Sequence, residues 1–220
     1  MTDKKREPKV RRPYTRGEEI GNTLSHAVGA GLSVVATVLM LVKSVHSGST
    51  MAVVTSVIYG ASLLMLYSMS ALYHGSSHPT LKKWFRVMDH CSIFLLIAGS
   101  YTPYALITLG DKGGPILLAV MWAIAIIGII LNAISVDRFH TISQVGYLAM
   151  GWAVVVLVKP LAEALPPMGL TLLVAGGLCY TVGVFFYAVK KVPYFHTIWH
   201  FFVLGGSVTH FISVYFYVLP

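Results

Sequence analysis

Five residues, "HTIWH" from His196 to His200, carry two imidazoles one turn apart at the head of an otherwise apolar run. On a helix a separation of four places both rings on one face, which suits a grip on one metal ion. Other polar residues fall at the ends of neighbouring apolar runs. His74 closes "SALYH", Ser70 stands one helical turn before it, and Asp89 opens "MDHCSIFLL". Three neutral imidazoles with one open position form a catalytic zinc site, whereas structural zinc closes its fourth position with protein, usually with thiolates. The expectation is that His74, His196 and His200 hold zinc. Asp89 then acts on the zinc-held water, by binding it or by accepting its proton, and Ser70 orients that water or a ligand imidazole. Arg86, three residues before Asp89, is the competing partner for that carboxylate.

Such a centre needs several elements to meet at one depth, and the composition says which medium sets that depth. Of 220 residues, 56% are hydrophobic and 11% charged, far below the roughly 25% charged of soluble domains, and the mean hydropathy is +0.74. This reads as an all-α integral membrane protein. Apolar stretches of about 20 residues predict seven transmembrane helices, at 22–45, 51–74, 89–109, 115–136, 141–162, 168–189 and 197–219. The breaks "HSGS", "GSSHPTLKKWFR", "GDKGG", "DRFH", "EALPPMG" and "KKVPYFH" are turn-forming or charged. A basic tail over residues 1–20 precedes a transmembrane domain over 21–220. No apolar segment with a cleavage site follows the first thirteen residues, so no cleaved signal peptide is expected. Glycines such as Gly29, Gly31, Gly128, Gly176 and Gly177 suit close helix packing.

Orientation follows from the basic residues. A cytoplasmic N-terminus leaves only Lys43, Lys112 and Lys159 of the 16 Lys and Arg residues outside, as the positive-inside rule requires, and places the C-terminus outside. Ser70, His74, Asp89, His196 and His200 then share the cytoplasmic boundary. The net charge of +8 is spread between apolar runs rather than gathered on a soluble face, which argues against nucleic acid and for membrane lipids as partners. Cys91 and Cys179 lack metal or redox spacing. Neither nucleotide-binding nor nucleophile-elbow motifs occur.

Glu19, Asn22 and His26, at the start of the first span, are candidates to support the metal ligands or to cap and anchor the helix. His90 and His140, the latter in an expected loop, read as interfacial. His210 reads as bonded to a neighbouring helix. Trp84, Trp199, Tyr194 and Tyr217 fit an aromatic belt.

The stretches "EEIGNTLSHAVG", "SALYHGSS", "MDHCSIFLLIAGSYTPY" and "HTIWHFFVLGG" resemble, in order, the progestin and adiponectin receptor family, and within it the bacterial hemolysin III branch. The pattern is E-x-x-N at Glu19 and Asn22, S-x-x-x-H at Ser70 and His74, an aspartate at Asp89, and H-x-x-x-H at His196 and His200. The resemblance implies a seven-helix bundle with zinc at His74, His196 and His200 near the cytoplasmic face. Alkaline ceramidases share the pattern in a wider superfamily of membrane metal-dependent hydrolases, which implies amide or ester hydrolysis on a lipid. Hemolysin III members are linked to a lytic phenotype and to membrane lipid homeostasis. The long cytoplasmic N-terminal domain of the receptors has no counterpart here, which argues against hormone sensing. The rival expectation is a non-catalytic lipid sensor or pore-forming protein in which zinc only staples helices together.

Overall fold

The fold is known from a computed structural model that describes residues 14–220; the expected basic tail lies outside the described residues up to residue 13. Seven α-helices follow one another: α1 (Arg16–His46), α2 (Thr50–Gly75), α3 (Pro79–Pro103), α4 (Gly114–Trp152), α5 (Val158–Ala164), α6 (Pro167–Ala188) and α7 (Phe195–Ser213). π-helical turns extend α3 over Tyr104–Thr108 and α7 over Val214–Val218.

Local chemistry sets these boundaries. Thr15 caps α1 in a reciprocal box: its hydroxyl accepts from the Glu18 N–H and its own N–H donates to the Glu18 carboxylate. Ser49 caps α2, and prolines occupy the first turns of α3, α4 and α6, where a missing N–H costs nothing. α3 starts at Pro79, so "TLKKWFR", expected within a break, is helical. Lys82 and Arg86 there lie on helical turns and find partners in Glu19 and Asp137.

Among the described residues six helical segments are long and apolar enough to cross a membrane. One of them, Gly114–Ala164, runs for 51 residues, about 76 Å at 1.5 Å per residue, more than twice a hydrocarbon core of about 30 Å. Its backbone breaks at Ser135, which is extended (φ −167°, ψ 108°). The Ser135 hydroxyl accepts from the Arg138 N–H, so this residue ends one helix and caps the next. The break expected at "DRFH" is thereby displaced, and Asp137–His140 are helical.

The bundle is inside out relative to a soluble domain. Large aliphatic side chains stand on its outer surface, Ile116 at 74% and Val156 at 80% exposure, while Asn22, Ser44, Thr55, Ser70, Asn132 and Ser213 are buried. Several of these inner polar groups bond across the fold, Ser44 with Ser56, Asn132 with Ser143 over the break in α4, and Ser213 with the Gly169 carbonyl, while Thr55 donates to the Ala52 carbonyl of its own helix. A Cβ at Gly29 would lie 2.4 Å from the Tyr67 ring, and Gly128 and Gly176 are equally tight against Phe94 and His210. Gly31 and Gly177 face open space, so the packing expected of them is absent.

Trp84 and Tyr194 are exposed as belt residues are, but Trp199 packs on Gly183 and Tyr187, and Tyr217 packs on Gly169. Their indole and phenol rings fill space between α6 and α7 instead.

Candidate metal centre

The N-termini of α1 and α7 meet, and that junction positions the first two imidazoles. Tyr194, the residue before α7, has a left-handed backbone (φ 62°), and its N–H donates to Glu18 in the first turn of α1. The capping carboxylate of one helix thus fixes the entry of the other. α7 then presents His196 and His200 on one face toward the last turn of α2, where His74 stands.

The three rings converge through their Nε2 atoms. His196 Nε2 is 3.3 Å from His74 Nε2 and 3.2 Å from His200 Nε2, and all three lie within 4.8 Å of one another. The remaining nitrogens decide what those contacts are. His74 Nδ1 is 2.7 Å from Glu19 Oε2, a carboxylate that can only accept, so Nδ1 carries the proton. His200 Nδ1 faces the Asn22 carbonyl at 3.1 Å and the Ser25 hydroxyl at 3.0 Å, and that hydroxyl already donates to the same carbonyl. His200 is therefore protonated on Nδ1 as well. Two bare Nε2 lone pairs face a third nitrogen that can offer at most one hydrogen, an acceptor-rich arrangement that suits a cation. The described residues hold a three-histidine group able to bind a metal ion.

The supporting residues form a shell rooted in α1. Glu19 bridges His74 and Lys82, whose ammonium donates to Oε1 at 2.7 Å. Asn22, fully buried, accepts from Thr197 through its side chain and from His200 through its backbone, and its amide lies 3.4 Å from His74 Nδ1. Carboxylate and carbonyl partners of this kind fix tautomer and ring direction in metal sites. His26 is not bonded to a ligand. It lies flat on the His200 ring, with 3.6 Å between centroids, and edge-on to Tyr67, so it supports the centre by packing.

Asp89 is not a member of the three-histidine group. Its carboxylate is 3.5 Å from His90 Nδ1 and lines a cavity of about 200 Å³ that Ser70, His196 and His200 also line. Arg86 does not take it: the guanidinium makes two hydrogen bonds to Asp137. The cavity continues along α3 as far as Leu109, past Ile93, Leu96 and Tyr104, and is mostly apolar. From Asp89 to Leu109 along the helix is about 30 Å.

The other histidines separate clearly. His210 Nε2 donates to the Leu173 carbonyl of α6 at 3.0 Å, as expected of it. His140 is helical rather than in a loop, and faces Tyr187 and Lys190. His90, expected at the interface, is only partly exposed, lines the main cavity, and donates from Nδ1 to the Arg86 carbonyl. Sequence reasoning missed Ser25, Thr197 and Tyr14. Ser25 was findable, since Glu19, Asn22 and Ser25 repeat every three residues on one helix face. Tyr14, whose ring stands 5.1 Å from that of His196, left no such signal, because only the closure of the chain entry onto α7 puts it there.

The match with known proteins follows the same residues. A family profile described as "Haemolysin-III related" covers residues 14–211, from Tyr14 beside the centre through all three histidines. The chain belongs to the haemolysin-III related family. It is 46% identical over 203 residues to "Hemolysin-3" of Bacillus cereus, spanning 92% of this chain and 93% of that one. It is 42% identical over 204 residues to the "Hemolysin-3 homolog" of Bacillus subtilis (strain 168), with 93% and 96% covered. The human "Monocyte to macrophage differentiation factor" is 29% identical over 174 residues, 75% of this chain and 71% of that protein. This haemolysin-III related chain is a multi-pass protein of the cell membrane.

Proposed function

We propose that the three-histidine group is a zinc site and that the protein hydrolyses an amide or ester bond of a membrane lipid, in the service of membrane lipid homeostasis. The observation that carries this reading is the nitrogen spacing. Tetrahedral zinc with bonds of 2.0–2.1 Å sets its nitrogens about 3.3–3.4 Å apart, and the His196 contacts are 3.3 and 3.2 Å. Zinc held by His74, His196 and His200 would supply Lewis acidity there, polarising a carbonyl and lowering the pKa of a water toward about 7.

The chain's own residues do the rest. The apolar cavity beside α3 takes the acyl chain and excludes bulk water from the reaction. Asp89, on the cavity wall, accepts the proton of the attacking water and returns it to the leaving group. Ser70, a turn deeper than His74 on the same wall, donates a hydrogen bond to the carbonyl oxygen as charge builds there. Glu19, Asn22 and Ser25 keep the ligand imidazoles in the tautomer that presents Nε2.

In the same reading the chain crosses the bilayer seven times, with Gly114–Ala164 counted as two spans around Ser135, the N-terminus inside and the C-terminus outside. A reporter fused after Pro220 is expected to report the outer side.

The deciding experiment pairs metal analysis with a lipid panel. Purified protein should carry about one zinc per chain and release free fatty acid from at least one amide- or ester-linked lipid. One zinc per chain with no turnover on any lipid would instead favour a structural zinc stapling α2 to α7.

A further inference from the structure

A second cavity, of about 510 Å³, opens at the same end of the bundle as the histidines. It meets the first at the metal centre: His196 lines both, as do Tyr14, Tyr73 and Tyr187. The two differ in character. The first runs past aliphatic and aromatic side chains along α3, with Arg86 and Lys190 where it joins the second, and the second adds Lys82 and Lys83 to that pair.

Three carboxylates also face this second cavity, and each is engaged by the fold. Glu18 accepts from the N–H groups of Thr15 and Tyr194, Glu19 from His74 and Lys82, and Asp137 from Arg86. Their lone pairs hold helices and ligand rings in place. Lys82 and Arg86 are the partners of Glu19 and Asp137, so Lys83 and Lys190 supply the cationic excess, and phenols from α2 and α6 supply further donors at the wall. Such a wall of ammonium, guanidinium and hydroxyl donors matches an oxyanion with several acceptor atoms, of which phosphate is the commonest in membranes.

Read in order, the protein offers an apolar tunnel, a metal centre and a cationic vestibule. That is the order of acyl chain, linkage and head in an anionic lipid. We infer that the vestibule between α2, α3 and α6 is a head-group site for a phosphate-bearing lipid, which makes the substrate class an anionic phospholipid rather than an uncharged one. The inference rests on the hydrolase reading for its placement of the scissile bond at the metal centre, but the head-group site itself is a matter of binding.

The test uses the zinc-loaded full chain in a neutral detergent and two ether lipids that cannot be hydrolysed, 1-O-hexadecylglycerol 3-phosphate and 1-O-hexadecylglycerol. They differ by the phosphate alone. Wild type should bind the phosphorylated lipid about tenfold more tightly or better, as one or two charge-assisted hydrogen bonds imply. The double variant Lys83→Gln, Lys190→Gln should lose that preference while keeping its zinc and its affinity for the uncharged lipid. Equal affinities in wild type overturn the inference, as does a preference that survives in the double variant, since the phosphate would then be held elsewhere. Competition by millimolar inorganic phosphate assigns the site to phosphate itself; failure to compete assigns it to the lipid-borne group, and either result accompanies a supported anion site. Fatty acid release from the ester-linked counterparts separates the two readings. Selective binding without turnover leaves the head-group site standing and removes the hydrolase, whereas turnover indifferent to the phosphate does the reverse.

Discussion

The two sides of the bundle are built to different standards. On one side α1, α2 and α3 pack closely in turn and the start of α7 closes onto α1, with glycines admitting neighbouring rings and α1 sending Glu19, Asn22 and Ser25 onto His74 and His200. On the other, α4 breaks at Ser135, changes to a 3₁₀ turn over Ala153–Leu157, and meets α6 sparsely. Trp152 donates to Thr181 across that gap, and His140 meets Tyr187 and Lys190. Both sides line the main cavity. On the proposed function the difference teaches where each demand would fall: imidazoles sharing an ion would need fixed backbones, whereas a wall admitting a lipid chain would need contacts that can be given up.

Substitutions that strip the closely packed side of its chemistry should have the largest effect. The double variant His196→Ala, His200→Ala should abolish stoichiometric metal binding, read by elemental analysis of the purified protein; a full zinc complement would break the site as drawn. Next in size, Asp89→Ala should lower lipid hydrolysis by about 10²- to 10⁴-fold while the metal content stays at wild-type level. Because Asp89 stands outside the ligand group, parallel loss of metal and activity would move it into that group.

A smaller effect is expected from the shell. Glu19→Gln removes the charge that holds His74 and should weaken metal affinity roughly 10- to 100-fold, measured by competition with a chromogenic chelator. An unchanged affinity would show that the Glu19 charge is not needed to orient the ring. Packing sharpens the comparison further. Gly29→Ala drives a methyl into Tyr67 and should cost about 1–3 kcal/mol in a thermal or denaturant assay, while Gly177→Ala, facing open space, should cost almost nothing. The smallest change lies on the loose side. Trp152→Phe deletes one hydrogen bond to Thr181, worth about 0.6 kcal/mol in membrane helices, and should alter KM for lipid by a few-fold at most with kcat intact.

How much of this could be read beforehand differs from one feature to the next. That the three histidines cluster was legible because each stands at the end of an apolar run, and a bilayer sorts such ends to a common depth. Asn22 and His26 stood out only as polar residues opening the first span, and Glu19 only through the resemblance to the family. Helix ends were less so. "TLKKWFR" carries charges that in water would signal a loop, yet near a membrane surface it forms the first turns of α3, where Lys82 reaches Glu19 and Arg86 reaches Asp137. Ser135 looked like any serine in a helix, and only the backbone revealed it as a break and a cap.

Composition and spacing by themselves determined an all-helical membrane protein with three imidazoles near one boundary, because hydrocarbon forbids unpaired backbone and penalises buried charge wherever the chain is read. Tertiary structure decided which nitrogen of each ring points inward, that Arg86 goes to Asp137 and leaves Asp89 on the cavity wall, and that a cationic vestibule meets an apolar tunnel at the histidines. Those outcomes depend on the direction of side chains across helices far apart in sequence, and periodicity along a single helix says nothing about the partner it will face.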